Sequence, residues 1–505
     1  MGAANISGIE ATFDANQALS NSLHVDPAGG ADTATAHLLF SVGAGDSGTA
    51  TEALPALGAL PISIPADGQA VVSGRVVTTE GEAPVSGAVV DVQLSDTTGT
   101  MHSIERLITD EEGRFSASLL TFAEARSYRF VASDPGRHPS AAVEIPAPES
   151  GVSPSAVVLH LGAQGRLSYD LTDSDGNPSP GLIQLRQEGA KRQTIYAVGS
   201  GVELVPPGSY EAVVTRGFEY EPVRVPVVVG LTDPASLVVV MKRIIDTHGY
   251  LSSDTHVHSA PSPDSRVDPA LRLRTVAAAG VEVMIASDHE IITDRHAQVL
   301  ASSGAAPFVL PIVGEEMTAT VPEHNTMFPV IPDGTPRGGP IPWYQMDIAQ
   351  IVKAQRDRGA GVVLLNHPRN GCNYLCLIGW DRITGLPTMT DEARLGLKPG
   401  AALWTWTYDG LEYLNGFSGV FTRPEAPEAS GVFEDWQAGL NHGHPWTAAG
   451  SSDSHSPEGI GYARSYFASS TDDPAKALES DMVSAYVKGD VLVSAGAFAR
   501  VEAVA

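Results

Sequence analysis

The sequence predicts a multidomain chain in which all-β sandwich modules precede a domain of alternating strands and helices. Its 505 residues exceed what one ordinary domain holds. The pattern changes near residue 245: before it, short Val-rich runs alternate with Gly, Pro and Asp turns; after it, apolar strands alternate with helix-like stretches. All six Trp and ten of the fifteen His also fall after residue 245, so the chemistry-bearing side chains concentrate in the second half.

Residues 1–70 are rich in Ala, Gly and Ser and read as a poorly defined β segment. Residues 71–163 form the first module. Strand-like runs at 71–77 and 87–92 flank a turn containing Pro84, and 110–115 reads as a tight turn into another strand. The series Gly74-Arg75-Val76, Pro84-Val85-Ser86-Gly87-Ala88 and Asp110-Glu111-Glu112-Gly113-Arg114-Phe115 resembles the carboxypeptidase-regulatory-like β-sandwich over about 71–160. That resemblance implies a seven-stranded Greek-key accessory domain without chemistry of its own. Residues 164–246 form a second β module, with turns at 175–178 and 206–210.

From 247 to 505 the pattern is β/α. Strands are expected at 251–256, 281–287, 308–313, 327–331, 362–366, 411–414 and 446–450, and helices at 269–279, 343–358, 432–441 and 474–487. Asp268-Pro269 is a helix start, because Pro is tolerated at the first helical position. Such alternation implies a parallel sheet or barrel whose active site gathers at the carboxyl ends of its strands. A further strand is expected over 498–504.

A net charge of −28, from 31 basic and 59 acidic residues, disfavours a nucleic-acid partner, which is held through phosphate contacts and counterion release. No run of eighteen apolar residues occurs, so no membrane-spanning helix is expected. No Lys or Arg precedes Arg75, which leaves two locations open: periplasmic or extracellular with a leader removed, or cytoplasmic. Cys372 and Cys376 share one loop and allow a local disulfide or two thiols. The oligomeric state is not readable.

The polar residues that end the expected strands form an ordered series: His256, His258, Asp264, Asp288-His289, Glu315-Glu316, His324, His367, Asp453 and His455. Alternate residues of a strand share a face, so His256 and His258 point the same way. Each alone has a structural explanation; together they give imidazoles and carboxylates without thiolate, a donor set suited to zinc, manganese or iron(II). The number of ligands exceeds what one ion uses, carboxylates can bridge, and so many acids and imidazoles are costly to cluster without metal. Two or three divalent ions are therefore expected.

The motifs Asp254-Thr255-His256-Val257-His258-Ser259, Ala286-Ser287-Asp288-His289, Gly314-Glu315-Glu316-Met317-Thr318, Asn366-His367-Pro368-Arg369 and Ser452-Asp453-Ser454-His455 resemble the PHP superfamily, named for its polymerase and histidinol phosphatase members. They look most like its CehA/McbA-like metallohydrolases, which carry N-terminal β modules. Over about 249–500 the resemblance implies a distorted (β/α)7 barrel with two or three metals. It places His256, His258, Glu316 and Asp453 around one ion. Glu316 bridges to a second held by His324 and His367, and Asp264, His289 and His455 form a third position. The Gly-x-Glu spacing selects Glu316 over Glu315, and Asp288 becomes an orienting neighbour. Asp453 and Glu316 are the expected catalytic groups, with Arg464 as a candidate for holding a substrate oxyanion.

The reaction class is hydrolysis of a small ester or phosphoester by metal-activated water, with phosphoester first and carbamate or aryl ester as the alternative. A surface-binding protein with a degenerate barrel is the non-enzymatic alternative. A serine hydrolase is disfavoured because no Gly-x-Ser-x-Gly occurs. His442 and His444 read as structural, and Trp380, Trp404 and Trp406 in a long insertion read as loop packing or a cover over the site.

Overall fold

The computed structural model describes residues 6–13, 19–25, 69–120, 125–147, 156–189, 192–319, 324–370, 372–416, 420–421, 423 and 430–499. Most of the N-terminal segment 1–70 and of the strand expected over 498–504 lies outside these residues. Within the former, Ile6–Phe13 and Leu19–Val25 pair as an antiparallel hairpin.

The first module packs two sheets face to face. Gln69–Thr78 lies between antiparallel Arg114–Leu120 and parallel Val157–Leu161. The second sheet runs Met101–Ile108, Val89–Asp96, Ala125–Ser133, Val143–Pro146, all antiparallel. Period-two burial, as in Val90, Val92 and Leu94, supplies one face of a core completed by Val72, Val76, Phe115, Phe130 and Leu159.

The second module repeats this topology strand for strand. Arg166–Asp173 lies between antiparallel Ser200–Leu204 and parallel Ala235–Met241. Opposite it run Gln193–Val198, Pro180–Arg186, Gly208–Thr215 and Val223–Val229, in the same order and sense. Even the bridge that closes the first turn recurs, Val77 with Pro84 in one module and Thr172 with Pro178 in the other.

The remaining domain contains β1 (Tyr250–Val257), α1 (Pro269–Ala278), β2 (Val283–Ala286), α2 (Arg295–Ser303), β3 (Leu310–Val313), β4 (Glu315–Thr318), β5 (His324–Phe328), α3 (Ile348–Asp357), β6 (Val362–Leu365), α4 (Tyr374–Leu377), β7 (Gly410–Asn415), α5 (Val432–Asn441), β8 (Thr447–Ser451), β9 (Arg464–Ala468), α6 (Glu479–Lys488) and β10 (Val491–Ser494). Its strands form two mixed five-stranded sheets, ordered β3-β2-β1-β9-β10 and β4-β5-β6-β7-β8. The distorted (β/α)7 barrel implied by the resemblance is therefore corrected. Parallel pairing is confined to β1 with β2, β2 with β3, β6 with β7 and β7 with β8, while β4, β5, β9 and β10 enter antiparallel.

The physical reason for the difference lies at Gly314. Only this residue separates β3 from β4, so no helix can return the chain, and the strand turns from the first sheet into the second. A side chain there would place its Cβ 2.5 Å from Ile285 Cγ2 and 2.9 Å from the Met327 carbonyl, which excludes anything larger than hydrogen. β4 then folds straight back on β5 as a hairpin.

The two sheets share one core. Val283 and Ile285 of β2 meet Val362 and Leu364 of β6, Phe328 and Phe467, with Met482 and Tyr486 of α6 closing the end. The intervening residues face outward: Met284 and Ala286 against α1, Val363 and Leu365 against α3 and the 372–408 insertion. Burial on both faces explains why these strands read as unbroken apolar runs. Asp268 caps α1 by accepting from the Ala270 and Leu271 amides, a contact that stabilises a helix by about 1 kcal/mol. The helix expected from 343 begins instead at Ile348, because Asp347 and Gln350 form a capping box that sets its start. The one expected at 474–487 divides into a 3₁₀ turn, Pro474–Lys476, and α6.

Among the described residues, no helix is long and apolar enough to cross a membrane.

Candidate metal centre

The carboxyl ends of β1, β2, β6 and β8 meet where the two sheets abut, at a seam marked by isolated bridges from Val257 to Ser454 and from His289 to Glu316. Into this seam β1 and the residue after its neighbour deliver His256 and His258, and the β2 end delivers His289. The hairpin β4–β5 delivers Glu316 and His324, and the loops after β6 and β8 deliver His367, Asp453 and His455. Asp264 comes from the segment before α1.

Glu316 is the hub. Its Oε2 lies 3.0 Å from His256 Nε2, 3.4 Å from His258 Nε2 and 2.9 Å from His289 Nδ1. Its Oε1 lies 3.2 Å from His324 Nδ1 and 3.3 Å from His367 Nε2. Asp453 Oδ1 faces His256 and His258 at 3.2 and 3.3 Å, and Asp264 Oδ2 sits 3.0 Å from both His289 and His455. Four sets of side chains could each hold one ion: His258, Asp264, His289 and His455; His256, His258 and Asp453; His256, Glu316 and His367; and His289, Glu316 and His324. All nine expected ligand residues thus come together. The grouping differs from the expectation in one respect, since His324 and His367 fall in separate sets, each with Glu316.

The donor set fits divalent cations. His256 Nε2, His258 Nε2, Asp264 Oδ1 and Glu316 Oε2 are buried without a hydrogen-bond partner, an arrangement that costs free energy unless a cation sits among them. Ligand atoms around a tetrahedral zinc, at bond lengths near 2.0–2.1 Å, stand about 3.3 Å apart, which is the spacing found here. Electrostatics point the same way. Burial disfavours charge on His256, yet Asp453, Glu316 and Glu412 hold its pKa well above the imidazole value. His258, also buried but hemmed in by two other imidazoles, is pushed down to about 3. Burial opposes ionisation of Glu316, but His256 and His289 hold its carboxyl well below the usual range.

Two ligands have unusual backbones. His367 (φ 24°) and Asp453 (φ 53°) lie in the left-handed region that β-carbon-bearing residues avoid, a conformation retained only where the surroundings enforce it.

Other expected roles fare differently. Glu315, one residue from the hub, points to the opposite face of β4 and accepts from the Ile341 amide. Burial and the neighbouring Glu290 charge push its pKa up to about 8. Its charge therefore destabilises the fold progressively as pH rises from the ordinary glutamate value of 4.5 through about 8, and not below. Glu315→Gln should gain on the order of a few kcal/mol over the parent at pH 9 and almost nothing at pH 4. Thermal melts at the two pH values check this; an equal difference at both would discard it. Asp288 bonds the Ser259 amide rather than an imidazole, so it holds the chain just after His258.

Arg464 is corrected. It is 1% exposed, donates to the carbonyls of Gly461, Gly280 and Ala279, and lies 4.2 Å over the Phe218 ring of the second sandwich. A long cation near a metal motif suggested an anion binder, but its guanidinium joins two domains instead. Trp380, Trp404 and Trp406 stack on one another and on Trp446, and His444 lies flat on Trp406 at 3.9 Å, so the insertion's aromatics pack the loop.

The sequence reading missed Glu412. This fully buried carboxylate of β7 accepts from His256 Nδ1 at 2.7 Å, the His367 amide at 2.6 Å, Asn415 Nδ2 at 2.9 Å and the Ser451 hydroxyl. It thereby fixes the ring of one ligand and the backbone of another. The available signal was a lone acid inside the apolar run Leu411–Leu414, on a strand whose end offered no ligand. Glu412→Gln should weaken metal retention roughly 10- to 100-fold, measured by competition with a chromogenic chelator; an unchanged affinity would remove the orienting role.

No family model and no curated protein matches the chain. Solved structures give distant likenesses. A streptococcal ancillary pilin is 13% identical with a TM-score of 0.24, covering 35% of this chain, and the chain spans 63% of that pilin's length. The C-terminal domain of a shaft pilin from Lactobacillus rhamnosus GG is 12% identical with a TM-score of 0.15, covering 19% of this chain and 97% of that one. A 3-chlorocatechol 1,2-dioxygenase from Rhodococcus opacus 1CP is 16% identical with a TM-score of 0.16, covering 20% and 62%. At these scores none bears on fold or function.

Proposed function

We propose that this chain is a hydrolase of the PHP type that works with two or three divalent ions, zinc, manganese or iron, held by His256, His258, Asp264, His289, Glu316, His324, His367, Asp453 and His455. The observation that carries the reading is the convergence of these side chains on buried donor atoms that lack any other partner. When bound, such ions supply Lewis acidity and bring the pKa of water toward neutrality.

The chain's own groups divide the remaining work. Glu316 and His256, both wholly buried, position the ions and exclude solvent from that side. Asp453 is part-exposed at the open side; burial works against its charge, but His256 and His258 hold its carboxyl well below the ordinary value. It is placed to accept a proton from an attacking water. The substrate is a small ester. A phosphoester is the first reading. A carbamate or aryl ester is the second, favoured by the commitments of the bordering arginines: Arg272 and Arg464 to backbone carbonyls, Arg369 to Asp435. None of the three turns a guanidinium toward a phosphoryl oxygen.

Metal analysis of the purified protein, followed by turnover of an aryl phosphate, a phosphodiester and a naphthyl carbamate, tests the reading. It is lost if His256→Ala with His258→Ala leaves both metal content and every turnover unchanged.

A further inference from the structure

The loop after β6 holds an arrangement that the ligand set alone does not require. Asn373 occupies the N-cap of α4, where an Asn side chain ordinarily accepts from the helix's own amides, yet it makes no capping bond. Its amide turns back instead to the ligand His367, 2.9 Å from Nδ1 and 3.2 Å from the carbonyl. The next residue back, Cys372, has φ 66°, a left-handed conformation, and is joined to Cys376 across the first turn of the helix. The Leu375 amide donates to the Pro368 carbonyl, and the Asn370 amide to that of His367, so the loop closes tightly over the ligand.

An amide can present either its nitrogen or its oxygen. With Oδ1 toward His367, the ring keeps its proton on Nδ1, and the Nε2 lone pair is directed at the side where Glu316 Oε1 lies 3.3 Å away. We propose that Asn373 is a positioning residue that selects this tautomer, and that the Cys372–Cys376 crosslink holds it on His367, so that reducing the crosslink weakens retention of an ion. The inference rests on reading the cluster as a metal centre. Cys376 is part-exposed, so a reductant can reach it. A trialkylphosphine would break the sulfur–sulfur bond to give two thiols, with water supplying both protons and the oxygen that ends on phosphorus.

The test measures zinc retention against a chromogenic chelator and the visible spectrum of the cobalt(II) form. It compares the parent, Asn373→Leu, Asn373→Asp and Cys372→Ser with Cys376→Ser. Asn373→Leu should release one ion about tenfold more readily and alter the cobalt spectrum. Asn373→Asp, which keeps an oxygen facing Nδ1, should restore both. The double serine variant and the phosphine-treated parent should fall between, and phosphine should add nothing to Asn373→Leu. Unchanged zinc retention in Asn373→Leu, failure of Asp to rescue it, or no effect of reduction on the parent would each overturn the proposal while leaving the metal centre standing. A parent that binds neither zinc nor cobalt would overturn the metal centre itself, and this inference with it.

Discussion

Glu316→Gln is expected to strip the protein of most of its bound divalent metal, lowering affinity by well over ~100-fold, beyond the effect typical of an orienting neighbour. The reason is geometric. Glu316 belongs to two of the four sets of side chains and touches five imidazoles, so one neutralising substitution removes the shared negative charge from all of them. The same substitution should change the pH dependence of loading. Burial alone would push the imidazoles down, but Asp264 and Glu316 lift His289 to about 10, and Glu316 with Glu412 lifts His367 to about 9. Without metal, both rings are therefore protonated at neutral pH, and an incoming ion must displace those protons. Parent affinity should climb with pH until about 9–10, with proton release measurable by calorimetry in buffers of different ionisation enthalpy. In Glu316→Gln the climb should end at lower pH. A parent that loads without releasing protons would contradict this account.

Arg272→Met should be the most destabilising single change outside the cluster, by roughly 3–5 kcal/mol out of the 5–15 kcal/mol typical of a folded domain. Arg272 rises from α1 with no exposed surface and donates to the carbonyls of His258, Ser454 and Ser456. Burial draws its pKa down to about 10, so it stays charged at neutral pH. Methionine fills much of the volume but leaves three buried carbonyls without donors, in the loops that carry His258, Asp453 and His455. Lysine keeps the charge without the planar fork and should recover only part of the loss. Urea unfolding of metal-free protein gives the number; a loss under about 1 kcal/mol would show that the loops hold themselves.

The ligands were legible in the sequence because each sits where an apolar run stops, and the strands themselves were legible because burial on both faces leaves them unbroken. Pairing direction was not. Periodicity says that 310–313 and 315–318 are extended, but only the crowding of Gly314 against Ile285 and Met327 shows the chain changing sheets between them. The duplication of the sandwiches left a faint trace, Pro84-Val85-Ser86-Gly87 against Pro178-Ser179-Pro180-Gly181, too short to reveal a seven-strand repeat. Glu412 stayed hidden because its role comes from three elements distant in sequence. Arg464 misled because sequence proximity to His455 carries no information about the direction of a long side chain.

The Phe218 ring lies over Arg464, Arg464 donates to the Gly461 carbonyl, the Gly461 amide donates to Asp254, and Asp254 receives the Ser452 amide beside Asp453. Tyr466 reaches Glu219 across the same boundary, and Gly217 has no room for a side chain against the Ala279 carbonyl. The second sandwich is in this sense a foundation course for the metal centre rather than an appended tag. Though built on the same plan as the first, it could not be exchanged for it in a chimaera without recutting the surface on which the β8 loop stands. Selection acting on the centre must therefore also act on residues of a module that contributes no ligand to it.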